Sequence, residues 1–242
     1  MSSFRKTALV GGILYLITFI GSIPAAILVG PAINDPGYVT GAGADQQVTL
    51  GLVLELVNVF GLIGCGIAFF AVVRRVHEGL GIGYLATRLF EGAIITVGVL
   101  SLLAVVTLRQ QGAADGNAET LVPVSNALVA VRSWAMLIGP HMAAFNALML
   151  GTALYMARLV PRPLPALGII GAPILISYTV LTILGVNLGP VFLGVAVMPF
   201  FIWELVLGLW LTFKGFNESS PLAIAERTRV APAGAIAPAG AA

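Results

Sequence analysis

The chain alternates between long apolar stretches and short polar connections. Six of these stretches exceed 20 residues and hold at most two charged side chains each. A helix that crosses the hydrocarbon core of a bilayer needs about 20 mostly apolar residues. We therefore predict six transmembrane helices, at about Thr7–Val29, Val48–Val73, Gly83–Leu108, Ser133–Ala157, Leu164–Gly185 and Pro190–Phe213.

The composition excludes an ordinary soluble fold. Of the 242 residues, 59% are hydrophobic and only 9% are charged, whereas a soluble domain is about 25% charged. The net charge of +2 is small and scattered, so nucleic acid is not an expected partner. We predict an all-α integral membrane bundle over residues 1–216, with the lipid bilayer as its main partner.

The basic residues predict the orientation. Nine of the twelve precede the first stretch or follow the second, fourth and sixth: Arg5, Lys6, Arg74, Arg75, Arg158, Arg162, Lys214, Arg227 and Arg229. The opposite connections hold four acids, Asp35, Asp45, Asp115 and Glu119, and a single base, Arg109. Basic residues are retained in the cytoplasm. We therefore predict a bacterial inner-membrane protein with both termini in the cytoplasm.

Two end segments allow other interpretations. The first stretch, with Arg5 and Lys6 before it and Pro24-Ala25-Ala26 near its end, could be a cleaved signal peptide, but its apolar run exceeds the usual 7–15 residues. A retained helix is favoured. The tail over residues 217–242 is rich in Ala, Pro and Gly and has no apolar face, which predicts disorder. No internal repeat supports an inverted-repeat transporter architecture.

Charged residues inside the apolar stretches are the candidate functional residues. Glu55, Arg88, Glu91 and Glu204 lie deep in them, and Asn58, Arg132, His141 and Asn146 are the other polar candidates. A charge at the bilayer centre costs about 2.5–3.5 kcal/mol, so the four deep side chains should face the bundle interior. With about 1.5 Å of rise per residue, Glu91 and Glu204 both lie about 13 Å from the cytoplasmic side and can meet.

Arg88, Glu91 and Glu204 form the predicted inner centre. Arg88 and Glu91 are three residues apart and share a helix face. Arginine stays protonated in proteins, so one positive group faces two acids, and the neutral arrangement has one glutamate ionised and the other protonated. We predict that one of the two acids carries a proton near neutral pH. The alternative is an ion-pair network that only fixes helix register.

Glu55 belongs to a predicted outer layer, about 27 Å from the cytoplasmic side. Asn58 shares its face, and either Arg132 or His141 could complement it from the fourth helix. These two lie on opposite sides of that helix, and Arg132 aligns with Asn146 instead. His141 is otherwise a packing residue near the interface. No metal or haem is predicted, because a metal needs about three or four ligands.

Five segments resemble a bacterial membrane family catalogued as domain-of-unknown-function family 4386. They are Gly30–Val39 (GPAINDPGYV), Leu50–Leu56 (LGLVLEL), Gly83–Gly92 (GYLATRLFEG), Pro161–Gly171 (PRPLPALGIIG) and Trp203–Asn217 (WELVLGLWLTFKGFN). The four deep charged residues fall inside these segments, whereas His141 does not. The resemblance implies the membrane architecture and carries no activity.

Three functions fit the pattern. The favoured one is a small-molecule or proton-coupled carrier, in which Glu91 and Glu204 exchange a proton beside Arg88. The second is a subunit or regulator of an unknown membrane partner, with a structural Arg/Glu network. The third and least favoured is an intramembrane enzyme, because neither a paired-glutamate motif nor a Ser-His nucleophile is found at matching depth. No cofactor and no catalytic residue is predicted.

Overall fold

Helices form all the regular secondary structure in the described residues of the computed structural model, which are 3–35, 37–41, 43–115 and 121–230. In chain order they are α1 (Ser3–Leu28), α2 (Gly30–Asn34), α3 (Asp45–Val76), α4 (Glu78–Asp115), α5 (Val122–His141), α6 (Ala143–Asn146), a π-helical turn (Ala147–Gly151), α7 (Thr152–Ala157), α8 (Pro163–Ile183), α9 (Gly189–Phe213) and α10 (Pro221–Val230).

Six helical spans are long and apolar enough to cross a membrane, which confirms the predicted fold class. The fourth span is continuous over α5, α6, the π-helical turn and α7, and it runs from Val122 to Ala157. The predicted start at Ser133 was too late. Arg132 and Ser125 interrupt the apolar pattern, but both side chains are buried inside the bundle, where they do not meet lipid.

The six spans pack as a closed ring. The first span, α1, contacts α3 on one side and α9 on the other. From α3 the ring continues to α4, then to the fourth span, to α8 and back to α9. Side chains that point to the middle of this ring are shielded from lipid on every side. The ring therefore provides the interior that the buried charged residues require.

Glycines set the closest approaches between helices. A Cβ atom on Gly12 of α1 would lie 2.6 Å from the backbone nitrogen of Thr212 in α9. On the other side of α1, a Cβ atom on Gly21 would lie 2.8 Å from the carbonyl oxygen of Leu54 in α3. Small residues allow such contacts between membrane helices. They bring α1 close to both neighbours and close the ring there.

The start of α1 and the end of α9 meet on one side of the bundle. Arg5 donates hydrogen bonds to the carbonyl oxygens of Leu211 and Thr212, both at 2.8 Å. The rings of Phe4 and Phe216 pack edge to face with centroids 5.6 Å apart. Arg5 therefore satisfies carbonyl groups that the end of α9 leaves without a helical partner.

The segment after α9 packs against the bundle and continues into α10. Asn217 donates its backbone N–H to the carbonyl oxygen of Leu159 at 2.7 Å, and α10 follows from Pro221. The hydroxyl of Ser220 accepts the backbone N–H of Ala223 at 3.2 Å, a helix N-cap contact. Residues 231–242 lie outside the described residues, so disorder of that distal part stays a prediction.

Candidate functional site

Arg88 lies in the middle of the ring and is completely buried. It belongs to α4, which also carries Glu91 on the same face, because three residues span most of a helical turn. Glu204 comes from α9, on another side of the ring. The structure thus brings together the three residues of the predicted inner centre, two from one helix and one from a helix far away in the chain.

The Arg88 guanidinium bridges the two acids. Its Nη1 donates to Oε2 of Glu91 at 3.0 Å, and its Nη2 donates to Oε1 of Glu204 at 2.7 Å. Such charge-assisted hydrogen bonds are stronger than those between neutral groups. A single positive charge therefore holds two carboxyl groups at hydrogen-bond distance.

Two tyrosines complete the surroundings of Arg88. The Nη2 atom also donates to the hydroxyl of Tyr15 at 2.7 Å, and Nε donates to the hydroxyl of Tyr84 at 3.3 Å. The guanidinium carbon lies 5.1 Å and 5.6 Å from the centres of the Tyr15 and Tyr84 rings, within the range of a cation–π interaction. Sequence reasoning missed both tyrosines, although a hydroxyl inside an apolar stretch was a usable signal.

Asn146 binds Glu91 from the fourth span. Its amide nitrogen donates to Oε2 of Glu91 at 2.6 Å, and its amide oxygen accepts the hydroxyl of Thr87 at 2.5 Å. Asn146 is fully buried and lies directly before the π-helical turn Ala147–Gly151. It therefore belongs to the inner centre. Helical periodicity aligns Asn146 with Arg132 along the fourth span. The π-helical turn begins after Asn146 and does not change this alignment. The two side chains nevertheless bind different acids.

The two acids differ in their exposure. The Glu91 side chain is 5% accessible, whereas that of Glu204 is 16% accessible. Glu91 receives bonds from both Arg88 and Asn146, while the structure records Arg88 as the partner of Glu204. Glu204 is thus the more exposed acid of the pair.

Glu55 and Arg132 form a second buried pair. Arg132 Nη1 donates to Oε2 of Glu55 at 2.6 Å, and Arg132 Nη2 donates to Oε1. Both side chains are 3% accessible. The pair joins α3 to α5, and Gly98 of α4 leaves the space for it, since a Cβ atom there would lie 3.0 Å from Arg132 Nη1. Of the two partners left open for Glu55, the structure selects Arg132.

Within the described residues, His141 and Asn58 form no hydrogen bond with Glu55. His141 Nδ1 lies 2.7 Å from the hydroxyl oxygen of Thr179 in α8, and its ring packs against Tyr178 with centroids 5.8 Å apart. Arg132 and His141 do lie on opposite sides of the span, so His141 faces α8 while Arg132 faces Glu55. Asn58 is buried against Gly21 of α1. The layer is therefore reduced to the pair of Glu55 and Arg132.

A third ion pair joins the start of α3 to the end of α4. Arg109 donates from Nε to Oδ1 of Asp45 at 2.5 Å, and its Nη2 also contacts the carboxylate. The hydroxyl of Tyr38 donates to Oδ1 at 2.8 Å. Burial, and then the hydrogen bond to Asp45, raise the pKa of Tyr38 above its usual range. In the sequence these charges serve only to mark a loop, because their choice of partner depends on how the loop folds back.

The inner centre can hold either charge state of its acids. With both acids ionised, Arg88, Glu91 and Glu204 carry a net charge of −1, and with one proton bound they are neutral. Which state is present at neutral pH stays a prediction. Within the part of the chain that the structure describes, no three His, Cys, Asp or Glu side chains form a group that could hold a metal ion.

The sequence profile of the family described as Domain of unknown function (DUF4386) matches residues 10–215. That range contains all six spans except the first residues of α1. It also contains every residue of the inner centre and of the two further ion pairs. No curated protein and no solved structure matches the chain.

Proposed function

The chain belongs to the DUF4386 family, and since that description assigns no activity, we propose a function from the site: a carrier that couples a small molecule to proton exchange at the inner centre. The main observation behind the proposal is that two carboxyl groups of unequal exposure, those of Glu91 and Glu204, bind the one buried guanidinium of Arg88. We further propose that the protein lies in a bacterial inner membrane with both termini in the cytoplasm, on the basis of its basic residues.

Charge balance supports proton exchange. A net charge of −1 in the membrane interior is unfavourable, and the bond from Arg88 neutralises only one of the two carboxylates. Uptake of a proton, or of a cation, removes the excess. A site that is neutral with a proton and negative without one favours a cationic or neutral substrate over an anion.

The surrounding helices support movement at this place. The π-helical turn after Asn146 departs from α-helical hydrogen bonding, and such turns are frequent at functional sites. Pro199 lies inside α9, five residues before Glu204, and it removes a backbone hydrogen bond of that helix. Both irregularities lie in helices that supply the inner centre, so a local rearrangement there needs to break few backbone bonds.

The test uses proteoliposomes that contain a trapped pH-sensitive dye. Organic cations, amino acids, sugars and carboxylates are added one at a time, and the internal pH is recorded. We expect at least one cationic or neutral compound to change the internal pH, and Glu204→Gln to abolish the change. Glu78→Gln is the matched control, because Glu78 is an exposed acid at the start of α4. A response that survives in Glu204→Gln, or no response to any compound class, refutes the proposal.

A second candidate is a scaffold whose inner centre fixes helix register. The complete pairing of Arg88 favours it, since Nε, Nη1 and Nη2 all donate to a partner. A buried ion pair needs such full pairing to be tolerated. Under this hypothesis Glu204→Gln lowers thermal stability and no compound changes the internal pH, whereas a native membrane partner co-purifies in fixed ratio.

A further inference from the structure

A cavity of about 470 Å³ lies at the end of the bundle where α7 ends, α8 begins and α9 ends. Its side-chain lining includes Arg158, Arg162, Trp210, Lys214 and Asn217. None of these residues belongs to the inner centre or to the other two ion pairs. The volume is within the range of about 300–1,000 Å³ that is usual for small-molecule sites.

Three of the lining residues, Arg158, Arg162 and Lys214, are basic, and no lining residue is acidic. All three are exposed, and the part of the chain that the structure describes gives none of them an ion-pair partner. Like charges that share a cavity repel one another. The arrangement is therefore stabilised when an anion occupies the cavity.

Arg158 ends α7 in a left-handed backbone conformation. Its φ of 53° and ψ of 36° are left-handed, and within the described residues no other residue besides glycine has a positive φ. Glycine adopts this conformation without a steric penalty. An arginine in place of glycine costs stability, and such strain tends to occur at functional sites.

The cavity walls are held in place by other contacts. Asn217 donates its side-chain amide to the carbonyl oxygen of Arg158 at 3.3 Å, and its backbone N–H to Leu159 at 2.7 Å. The guanidinium carbon of Arg162 lies 5.1 Å from the centre of the Tyr155 ring. The indole nitrogen of Trp210 is buried and has no hydrogen-bond partner among the described residues. The cavity thus has a wall held by Asn217 and Arg162, with a buried indole donor in one of its lining residues.

We propose that this cavity binds the phosphate group of an anionic phospholipid. It lies where three membrane spans end, which is the level of the lipid headgroups, and tryptophan is enriched at that level. Basic pockets between membrane helices bind anionic headgroups, and arginine forms paired hydrogen bonds with phosphate. The proposal does not depend on the carrier function, because lipid binding at this cavity requires no transport.

The test measures lipid binding to the full chain by native mass spectrometry, with phosphatidylglycerol or phosphatidylcholine titrated into the detergent-solubilised protein. Each basic residue near an anionic headgroup contributes about a fivefold increase in affinity. We expect Arg158→Gly to weaken phosphatidylglycerol binding about fivefold, and the triple variant Arg158→Gly/Arg162→Gln/Lys214→Gln to weaken it about a hundredfold. Phosphatidylcholine should bind more weakly than phosphatidylglycerol and respond little to the variants.

Arg158→Gly separates an effect on lipid binding from an effect on folding. The substitution removes a charge from the cavity and at the same time relieves backbone strain, so it should weaken binding without lowering stability. Its melting temperature without added lipid should equal or exceed that of the parent protein. Arg74→Gln is the matched control, since Arg74 is an exposed base outside the cavity, and it should bind lipid as the parent does. The proposal is overturned if Arg74→Gln weakens binding as much as Arg158→Gly, or if phosphatidylcholine binds equally well.

Soluble anions distinguish the source of the phosphate. Inorganic phosphate and glycerol 3-phosphate are added as competitors during the phosphatidylglycerol titration. We expect neither to displace the lipid at concentrations near that of the lipid, because they lack the acyl chains that remain in contact with the apolar surface. Displacement at equal concentration overturns the assignment to a lipid and identifies a site for a free phosphate compound.

Discussion

The buried ion pair of Glu55 and Arg132 allows a specific prediction about thermal stability. The two residues respond differently when the partner is removed. Both side chains are 3% accessible, so neither can find water when the other is removed. Breaking a buried ion pair by removing one partner costs about 3–5 kcal/mol. For a chain of 150–250 residues, each kcal/mol lowers the melting temperature by about 2–4 °C. Glu55→Gln should therefore melt roughly 6–20 °C below the parent protein.

The pH dependence separates the two single variants. Arg132 cannot lose its proton, so in Glu55→Gln the uncompensated charge persists at every accessible pH. In Arg132→Met the remaining acid can instead take up a proton. Arg132→Met should therefore regain stability relative to the parent on acidification to pH 5, whereas Glu55→Gln should not.

The assay is thermal unfolding in detergent micelles at pH 7 and pH 5, with each variant compared with the parent protein at the same pH. The double variant Glu55→Gln/Arg132→Met is the control, since it leaves no buried charge, and at pH 7 it should be more stable than either single variant. Equal pH dependence of the two single variants would refute the reasoning. So would a double variant whose loss equals the sum of the single losses.

Three further predictions concern other parts of the bundle. Gly12→Ala should lower the melting temperature, because its Cβ atom would lie 2.6 Å from backbone in α9, whereas Gly194→Ala, with nothing within 4 Å, should leave it unchanged or raise it. Since the pKa of Tyr38 is raised, the stability that Tyr38 contributes should be present below about pH 10 and lost above it. Alkaline unfolding of Tyr38→Phe should lack this loss. Ultraviolet absorbance should show the phenol of Tyr38 ionising at a higher pH than free tyrosine. Cys65, which is buried, should react with a maleimide only as the protein unfolds, and rapid labelling of the folded protein would contradict its placement.

Much of the inner centre followed from the sequence. Arg88 and Glu91 had to share a face because of their spacing, and both had to point inward because lipid excludes charge. Depth along the helix then placed Glu204 at their level. The contribution of Asn146 could not be derived in this way, because an amide costs far less than a charge in the membrane and so gives no comparable reason to assign it a partner.

The choice of partner for Glu55 shows the same limit. Periodicity placed Arg132 and His141 on opposite sides of one helix, and this is what the structure has. It did not decide which of the two sides faces α3, since that depends on the order of the spans around the ring.

The sequence by itself determined the number of spans, their approximate ends except the start of the fourth, and the inward direction of the charged side chains. Each of these follows from the exclusion of charge and of unpaired backbone groups from hydrocarbon, which acts on every helix separately. Only the tertiary structure decided which helices are neighbours and which acid each arginine binds. Lipid and helix surfaces are similarly apolar, so hydropathy leaves the rotation and order of the helices open, and close packing at residues such as Gly12 and Gly21 sets them instead.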